Sequence, residues 1–173
     1  MINIKRPFFI LSFVAMAICS HAQNIFQLDE QRIMKNMNLD FFVVKLQTEH
    51  FTTFSSKDKI PSFIKEQLPF INDSSIANPN EEYNATDLVL NEHFPWRQIR
   101  YGAISNDVLV LFYYKGGFAS NNVVVLVSFS NNAVEDVWIS HSFCDDVNSI
   151  SSLLNCLNQN FKDKQVVGEI PNY

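Results

Sequence analysis

Four consecutive strand-like segments between residues 97 and 142 constrain the fold more than any other feature of the chain. Residues 108–114 (VLVLFYY) and 123–130 (VVVLVSFS) are apolar at almost every position, as in strands that are buried on both faces. Short polar turns separate the segments at residues 105–107 and at Asn131–Asn132, and asparagine tolerates the positive φ of a two-residue hairpin turn. Successive strands with such short links predict a four-stranded antiparallel meander over about residues 97–142.

The first of these segments shows the pattern of a strand with one buried face. Ile99, Tyr101 and Ala103 alternate with Arg100 and Gly102. Because successive side chains point to opposite faces of a strand, we expect Ile99, Tyr101 and Ala103 to share a face of the sheet.

Two stretches with apolar residues at helical spacing flank the strands. Residues 60–68 predict a short helix, which Pro69 should end because its ring clashes with the preceding turn. Residues 146–161 predict a C-terminal helix with Asp145 or Asp146 as its N-terminal cap. We expect both helices to pack against one face of the sheet, which gives an α+β fold.

The remaining residues are less regular. Residues 41–54 combine the apolar spacing of a helix with the β-branched content of a strand, and a helix is the favoured interpretation. Residues 70–95 are rich in turn formers and predict a long loop, of a length that is often functional, with a strand fragment or one helical turn at 86–91. Since the central strands are apolar on both faces, residues 24–54 or this loop should cover the second face.

The N-terminal sequence has the three-part pattern of a secretory signal peptide. Lys5 and Arg6 precede an uncharged apolar run at residues 7–19, and small side chains lead to Gln23. The apolar run is short for a permanent membrane-spanning helix. We therefore predict cleavage between Ala22 and Gln23.

Removal of residues 1–22 would leave a lead-in at residues 23–40, with a weak helix, and a single α+β domain over residues 41–173. The mature chain would then have no transmembrane segment, and its predicted location is the periplasm or the extracellular space. Two alternatives stay open. One is lipid attachment at Cys19, for which the preceding Ile18 is a poor fit, and the other is an uncleaved membrane anchor.

The charge balance argues against nucleic acid as a partner. The chain has 13 Lys and Arg against 18 Asp and Glu, and loss of Lys5 and Arg6 with the signal peptide leaves 11 against 18, a net charge of −7. A nucleic-acid-binding domain needs a basic surface that displaces counterions from phosphates. In this chain the positive residues are scattered along the sequence.

Cys144 and Cys156 are the two cysteines of the mature chain. Export favours a disulfide between them, but two unpaired thiols are an equal alternative, because the sequence does not show whether the two Cβ atoms face each other. The chain contains no HExxH, CxxC or GxSxG motif. We therefore predict neither a metal nor a cofactor.

The segment YYKGGFASNN joins two of the predicted strands. A phosphate-binding loop runs from a strand into a helix, whereas a strand follows here. A hairpin loop in which Gly116 and Gly117 take positive φ is therefore the favoured interpretation. The alternative interpretation is that the segment also binds a partner through an aromatic surface formed by Tyr113, Tyr114 and Phe118.

The segment NEHFPWRQIRY holds the densest group of side chains suited to binding. His93, Trp96, Arg97 and Tyr101 are the candidate binding residues, since aromatic residues and arginine are enriched in binding hot spots. The alternative interpretation is an aromatic plug that covers one end of the sheet.

These features support two hypotheses for function. The first is an exported, non-catalytic binding or interaction domain, whose partner is a protein, peptide or glycan of the envelope or medium. The alternative is a small envelope hydrolase that uses His93 or His141 with a nearby carboxylate. Convergence of both histidines and an acidic side chain in one cleft would favour the hydrolase, whereas a continuous exposed aromatic patch would favour the binding domain.

Overall fold

The computed structural model describes residues 25–118, 120–142 and 144–160. The predicted signal peptide lies outside the described residues. The strands are β1 (Thr52–Phe54), β2 (Arg97–Ile104), β3 (Val108–Lys115), β4 (Asn121–Ser130) and β5 (Ala133–Ser142). The α-helices are α1 (Glu30–Met34), α2 (Leu39–Thr48), α3 (Ser62–Gln67) and α4 (Ile150–Asn160).

The described strands form one antiparallel sheet in the order β1-β2-β3-β4-β5. The predicted meander is confirmed, and β1 extends it by pairing with the second half of β2. The sequence of residues 41–54 was compatible with a helix or a strand, and the structure contains both. Most of these residues belong to α2, and the last three form β1. The predicted Asn131–Asn132 turn is also confirmed, with φ of 48° and 61° at its two residues.

A β-bulge at Arg100 changes the face on which the start of β2 lies. Ile99 pairs with Tyr113, but Tyr101 pairs with Phe112, which leaves Arg100 as an extra residue. The extra residue shifts the alternation, so Ile99 lies in one hydrophobic core and Tyr101 in the core on the opposite face. The expectation that Ile99 and Tyr101 share a face is therefore wrong.

The two faces of the sheet carry separate cores. Ile64 of α3 packs with Tyr113 on one face, and Phe42 of α2 and Leu157 of α4 pack with Trp138 on the other. The predicted packing of both helices on the sheet is confirmed, but they lie on opposite faces rather than on one. The reason is that the central strands are apolar on both faces, and burying each large apolar side chain contributes about 1.5–3 kcal/mol.

The start of α4 differs from the prediction. Ser149 caps the helix, because its Oγ accepts a hydrogen bond from the backbone N–H of Ser152 at 3.1 Å. The Oγ of Ser152 in turn accepts one from the backbone N–H of Ser149 at 3.1 Å, which completes a capping box. Asp145 and Asp146 lie before this cap and are exposed. The prediction that either aspartate caps the helix is therefore wrong.

Cys144 and Cys156 are paired as a disulfide, with Cα atoms 5.8 Å apart. The bond joins the segment before α4 to the helix itself. Such a bond is compatible with an exported protein, because disulfides persist in oxidising compartments. Among the described residues, no helix has both the length and the apolar character that spanning a membrane requires.

β5 lies at the edge of the sheet, and side chains from other elements bind its backbone. The Nδ2 of Asn38 donates a hydrogen bond to the carbonyl oxygen of Val137 at 3.1 Å. The backbone N–H of Val134 donates to the Oε1 of Gln67 at 3.0 Å. Amide side chains therefore satisfy part of the outer edge of this strand.

Candidate binding surface

His93 and Trp96 lie at the end of the sheet where β2 begins and β3 ends. His93 is exposed, and its backbone N–H donates to the Oδ1 of Asn91 at 2.9 Å. Trp96 is half-buried, and its carbonyl oxygen accepts a hydrogen bond from the backbone N–H of Gly116 at 2.8 Å. Trp96 therefore joins the start of β2 to the hairpin between β3 and β4.

Arg97 faces the core on the α3 side of the sheet. Its half-buried side chain lies beside Tyr113, which is completely buried. Burial raises the pKa of the Tyr113 hydroxyl to about 12, although the positive charge of Arg97 opposes the rise. Arg97 therefore places a positive charge next to the hydroxyl of a buried tyrosine.

Tyr101 lies in the other core, under α2 and α4. Burial raises the pKa of its hydroxyl, and the nearby backbone of Ile150 opposes the rise. The structure thus keeps His93 and Trp96 in one loop but directs Arg97 and Tyr101 into opposite cores. The β-bulge at Arg100 is the physical reason for this division.

The buried side chain of Asn84 organises the loop before β2. Its Nδ2 donates hydrogen bonds to the carbonyl oxygens of Asn91 at 2.9 Å and Phe94 at 3.0 Å. Its Oδ1 accepts one from the backbone N–H of Leu90 at 2.9 Å. Its own backbone N–H donates to the carbonyl oxygen of Pro95 at 2.9 Å. One amide group therefore replaces the regular hydrogen bonding that this loop lacks.

This loop presents large apolar side chains to solvent. Leu88 is 66% exposed, Val89 48% and Leu90 65%, and Phe118 at the neighbouring hairpin is 94% exposed. We call these four residues the apolar tip. Residues 86–91 form neither a strand nor a helical turn, so that prediction is wrong. Backbone groups of Leu90, Asn91 and Phe94 form hydrogen bonds with the side chain of Asn84 rather than with the backbone of a strand or helix.

The hairpin that carries Phe118 packs directly against the loop. A Cβ on Gly116 would stand 1.9 Å from the carbonyl oxygen of Asn84, so only glycine allows this approach. Gly117 has a φ of 109°, as predicted for a hairpin glycine, whereas Gly116 is required for close contact rather than for positive φ. The two parts of the apolar tip are therefore held on adjoining backbone segments.

Carboxylates accompany the apolar tip. Glu82, Asp87 and Glu92 are exposed and lie in the same loop, and we call them the acidic rim. Glu81, just before them, forms an ion pair with Lys57 at 3.0 Å. Hydrogen bonds from the Asn78 backbone and from Lys57 lower the pKa of Glu81, so it is also ionised at neutral pH.

His141 lies elsewhere on the sheet. It is part of β5, and its Nδ1 is 2.9 Å from the Oδ1 of Asn121. Two strands separate β5 from β2, which corresponds to about 14 Å at the usual strand spacing. The strand order therefore does not bring His141 next to the start of β2, where His93 lies. In the part of the chain that the structure describes, no three His, Cys, Asp or Glu side chains are grouped to hold a metal ion.

Sequence reasoning located the loop but missed its main residues. The signal for the apolar tip was the tripeptide Leu88-Val89-Leu90 within a polar stretch, which by itself equally fits a buried turn. The role of Asn84 left no local signal, because its partners lie six to ten residues away. Comparison with known proteins finds no matching family model, no matching curated protein and no matching solved structure.

Proposed function

We propose that this chain is an exported, non-catalytic interaction domain, and that the apolar tip with its acidic rim binds a protein partner. The observation that carries the proposal is Phe118, a large apolar side chain that is 94% exposed on the hairpin whose Gly116 packs against the loop that carries Leu88 and Leu90. Burial of such side chains in a complex contributes about 1.5–3 kcal/mol each. Exposed apolar residues concentrated on two segments in contact are typical of an interaction site.

The rigidity of the loop supports the same proposal. Asn84 fixes Leu90 through a direct hydrogen bond, and the backbone of Asn84 contacts Gly116 in the hairpin that carries Phe118. A surface that is ordered before binding loses less conformational entropy in the complex. The apolar tip is thus suited to hold a partner with little rearrangement.

The acidic rim specifies the charge of the partner. Glu82, Asp87 and Glu92 place negative charge in the loop that carries Leu88 and Leu90, and the whole chain is acidic. Complementary charge accelerates association and excludes partners of like charge. The partner in this proposal is therefore a protein or peptide with apolar side chains flanked by lysine or arginine.

A capture experiment tests the proposal. The purified mature protein is immobilised and exposed to envelope and medium extracts of its source cells, in parallel with the double variant Leu90→Ser/Phe118→Ser. The matched control is Met37→Ser, which changes a side chain that is 68% exposed between α1 and α2, away from the tip. We expect the wild type and the control to capture a basic protein that the double variant does not capture. This protein should elute when the salt concentration is raised.

Capture of the same proteins by all three forms would refute the proposal. The double variant could lose binding while neither salt nor the substitutions Asp87→Lys/Glu92→Lys change capture by the protein. That result would keep the apolar tip as the binding site but reject a basic partner. Circular dichroism of each variant confirms that the fold is intact.

A further inference from the structure

A cavity lies on the α4 side of the sheet and includes none of the residues of the apolar tip. It is a groove of about 320 Å³ between the ends of β3 and β4 and the segment before α4. The sheet contributes Arg100, Tyr114 and Asn122, which we call the basic wall, and the segment before α4 contributes Asp145, Asp146 and Asn148, which we call the acidic wall. Its volume lies at the lower end of the range for small-molecule sites.

The β-bulge of β2 directs Arg100 into this groove. Arg100 is the residue without a partner in the β2–β3 ladder, and its guanidinium carbon lies 5.6 Å from the ring centre of Tyr114. The Tyr114 ring is itself held edge-on by Tyr83, with ring centres 6.1 Å apart. Bulges re-aim side chains in this way beside functional sites. The positive charge on this wall is therefore fixed by the backbone and by aromatic contacts.

The acidic wall is fixed by different bonds. Cys144, directly before Asp145, is joined to α4 by the disulfide with Cys156, and its carbonyl oxygen accepts a hydrogen bond from the Nδ2 of Asn122 at 3.0 Å. Both aspartates are exposed. Among the described residues, no ion pair joins Arg100 to either of them. The groove is thus lined by charges of both signs, from the sheet and from the segment before α4, that no direct ion pair neutralises among the described residues.

The chemistry of the two walls indicates the ligand. Guanidinium groups bind carboxylates with paired hydrogen bonds, and aspartates accept hydrogen bonds from ammonium groups. Phe112 and Val147 add apolar lining between the charged groups. We propose that the groove binds a small zwitterion with an apolar side chain, of the α-amino acid class, with its carboxylate on Arg100 and its ammonium group on Asp145 and Asp146. An uncharged sugar would leave these charges without complementary partners.

Three related probes test the proposal on the whole mature protein: L-leucine, 4-methylpentanoate, which lacks the ammonium group, and 3-methylbutylamine, which lacks the carboxylate. Binding is followed by NMR through the side-chain signals of Tyr114 and Asn122. We expect saturable shifts with leucine and at least roughly tenfold weaker binding of each single-charge probe, since each loses one charge-assisted contact. Absence of saturable shifts at about 10 mM leucine, or equal affinity for all three probes, would overturn the proposal.

Variants assign the contacts. Arg100→Gln is expected to lower the affinity for leucine to that for the amine, and Asp145→Asn/Asp146→Asn to lower it to that for the carboxylate. Lys59→Gln is the control, because Lys59 is an exposed cation in the turn before α3, on the opposite side of the sheet from α4. Unchanged leucine binding in the Arg100 variant would place the ligand elsewhere and reject the site.

Discussion

Replacement of Asn84 by alanine tests whether one buried amide holds the binding loop. Three of its side-chain hydrogen bonds are 3.0 Å or shorter, to Asn91, Phe94 and Leu90. At about 1 kcal/mol for each neutral hydrogen bond, Asn84→Ala should lower the free energy of unfolding by about 3 kcal/mol. The backbone hydrogen bond from Asn84 to Pro95 survives the change, so we expect a loosened loop on an intact sheet.

Two measurements separate local from global effects. Urea unfolding followed by circular dichroism gives the free energy of unfolding, and amide hydrogen exchange at Leu90 reports on the loop. The matched control is Asn80→Ala, which removes an exposed amide of the same chain segment. If Asn84→Ala costs less than about 1 kcal/mol and exchange at Leu90 is unchanged, the inference that Asn84 orders the loop is wrong.

Two further predictions concern the disulfide and the pH dependence of stability. Cys144→Ser should lower the free energy of unfolding by about 3 kcal/mol, because the bond closes a loop with a sequence separation of 12, and reduced wild type should unfold at the same urea concentration as the variant. Burial is the largest single influence on the pKa of Asp107 and raises it, but the hydrogen bond and positive charge of Lys45, together with Glu49 and the local backbone, outweigh burial and lower the pKa. Its stabilising contribution is therefore present above the unfolded-state pKa and is lost as the pH falls through the lower folded-state pKa. Thermal unfolding from neutral to acidic pH should show a smaller loss in Asp107→Asn than in wild type, and equal losses would contradict the role of this pair.

The sheet could be predicted from the sequence because its signals are local. The residues of β3 and β4 are apolar on both faces, and the Asn131–Asn132 turn fixes the pairing of β4 with β5. The bulge at Arg100 could not be predicted in this way. It depends on which residues of β3 face Ile99 and Tyr101, and the pattern of β2 alone fits an uninterrupted strand.

The candidate site was predictable only in part for the same reason. The loop around His93 and Trp96 was located from its composition, but Arg97 and Tyr101 follow the alternation of a strand that the bulge interrupts. The exposure of Phe118 depends on the packing of the hairpin against Asn84, which is a contact between distant segments. Local composition therefore indicates where binding residues are concentrated, and long-range contacts decide which of them reach solvent.

The amide side chains of Asn38 and Gln67 on the outer edge of β5 also limit how this protein assembles. A sheet with a free edge recruits further strands, from a ligand peptide or from another copy of the same chain, and this is a common origin of fibrils. Here the positions of Val134 and Val137 that a sixth strand would need are already occupied. A further strand could therefore pair with this edge of β5 only by displacing both amide side chains.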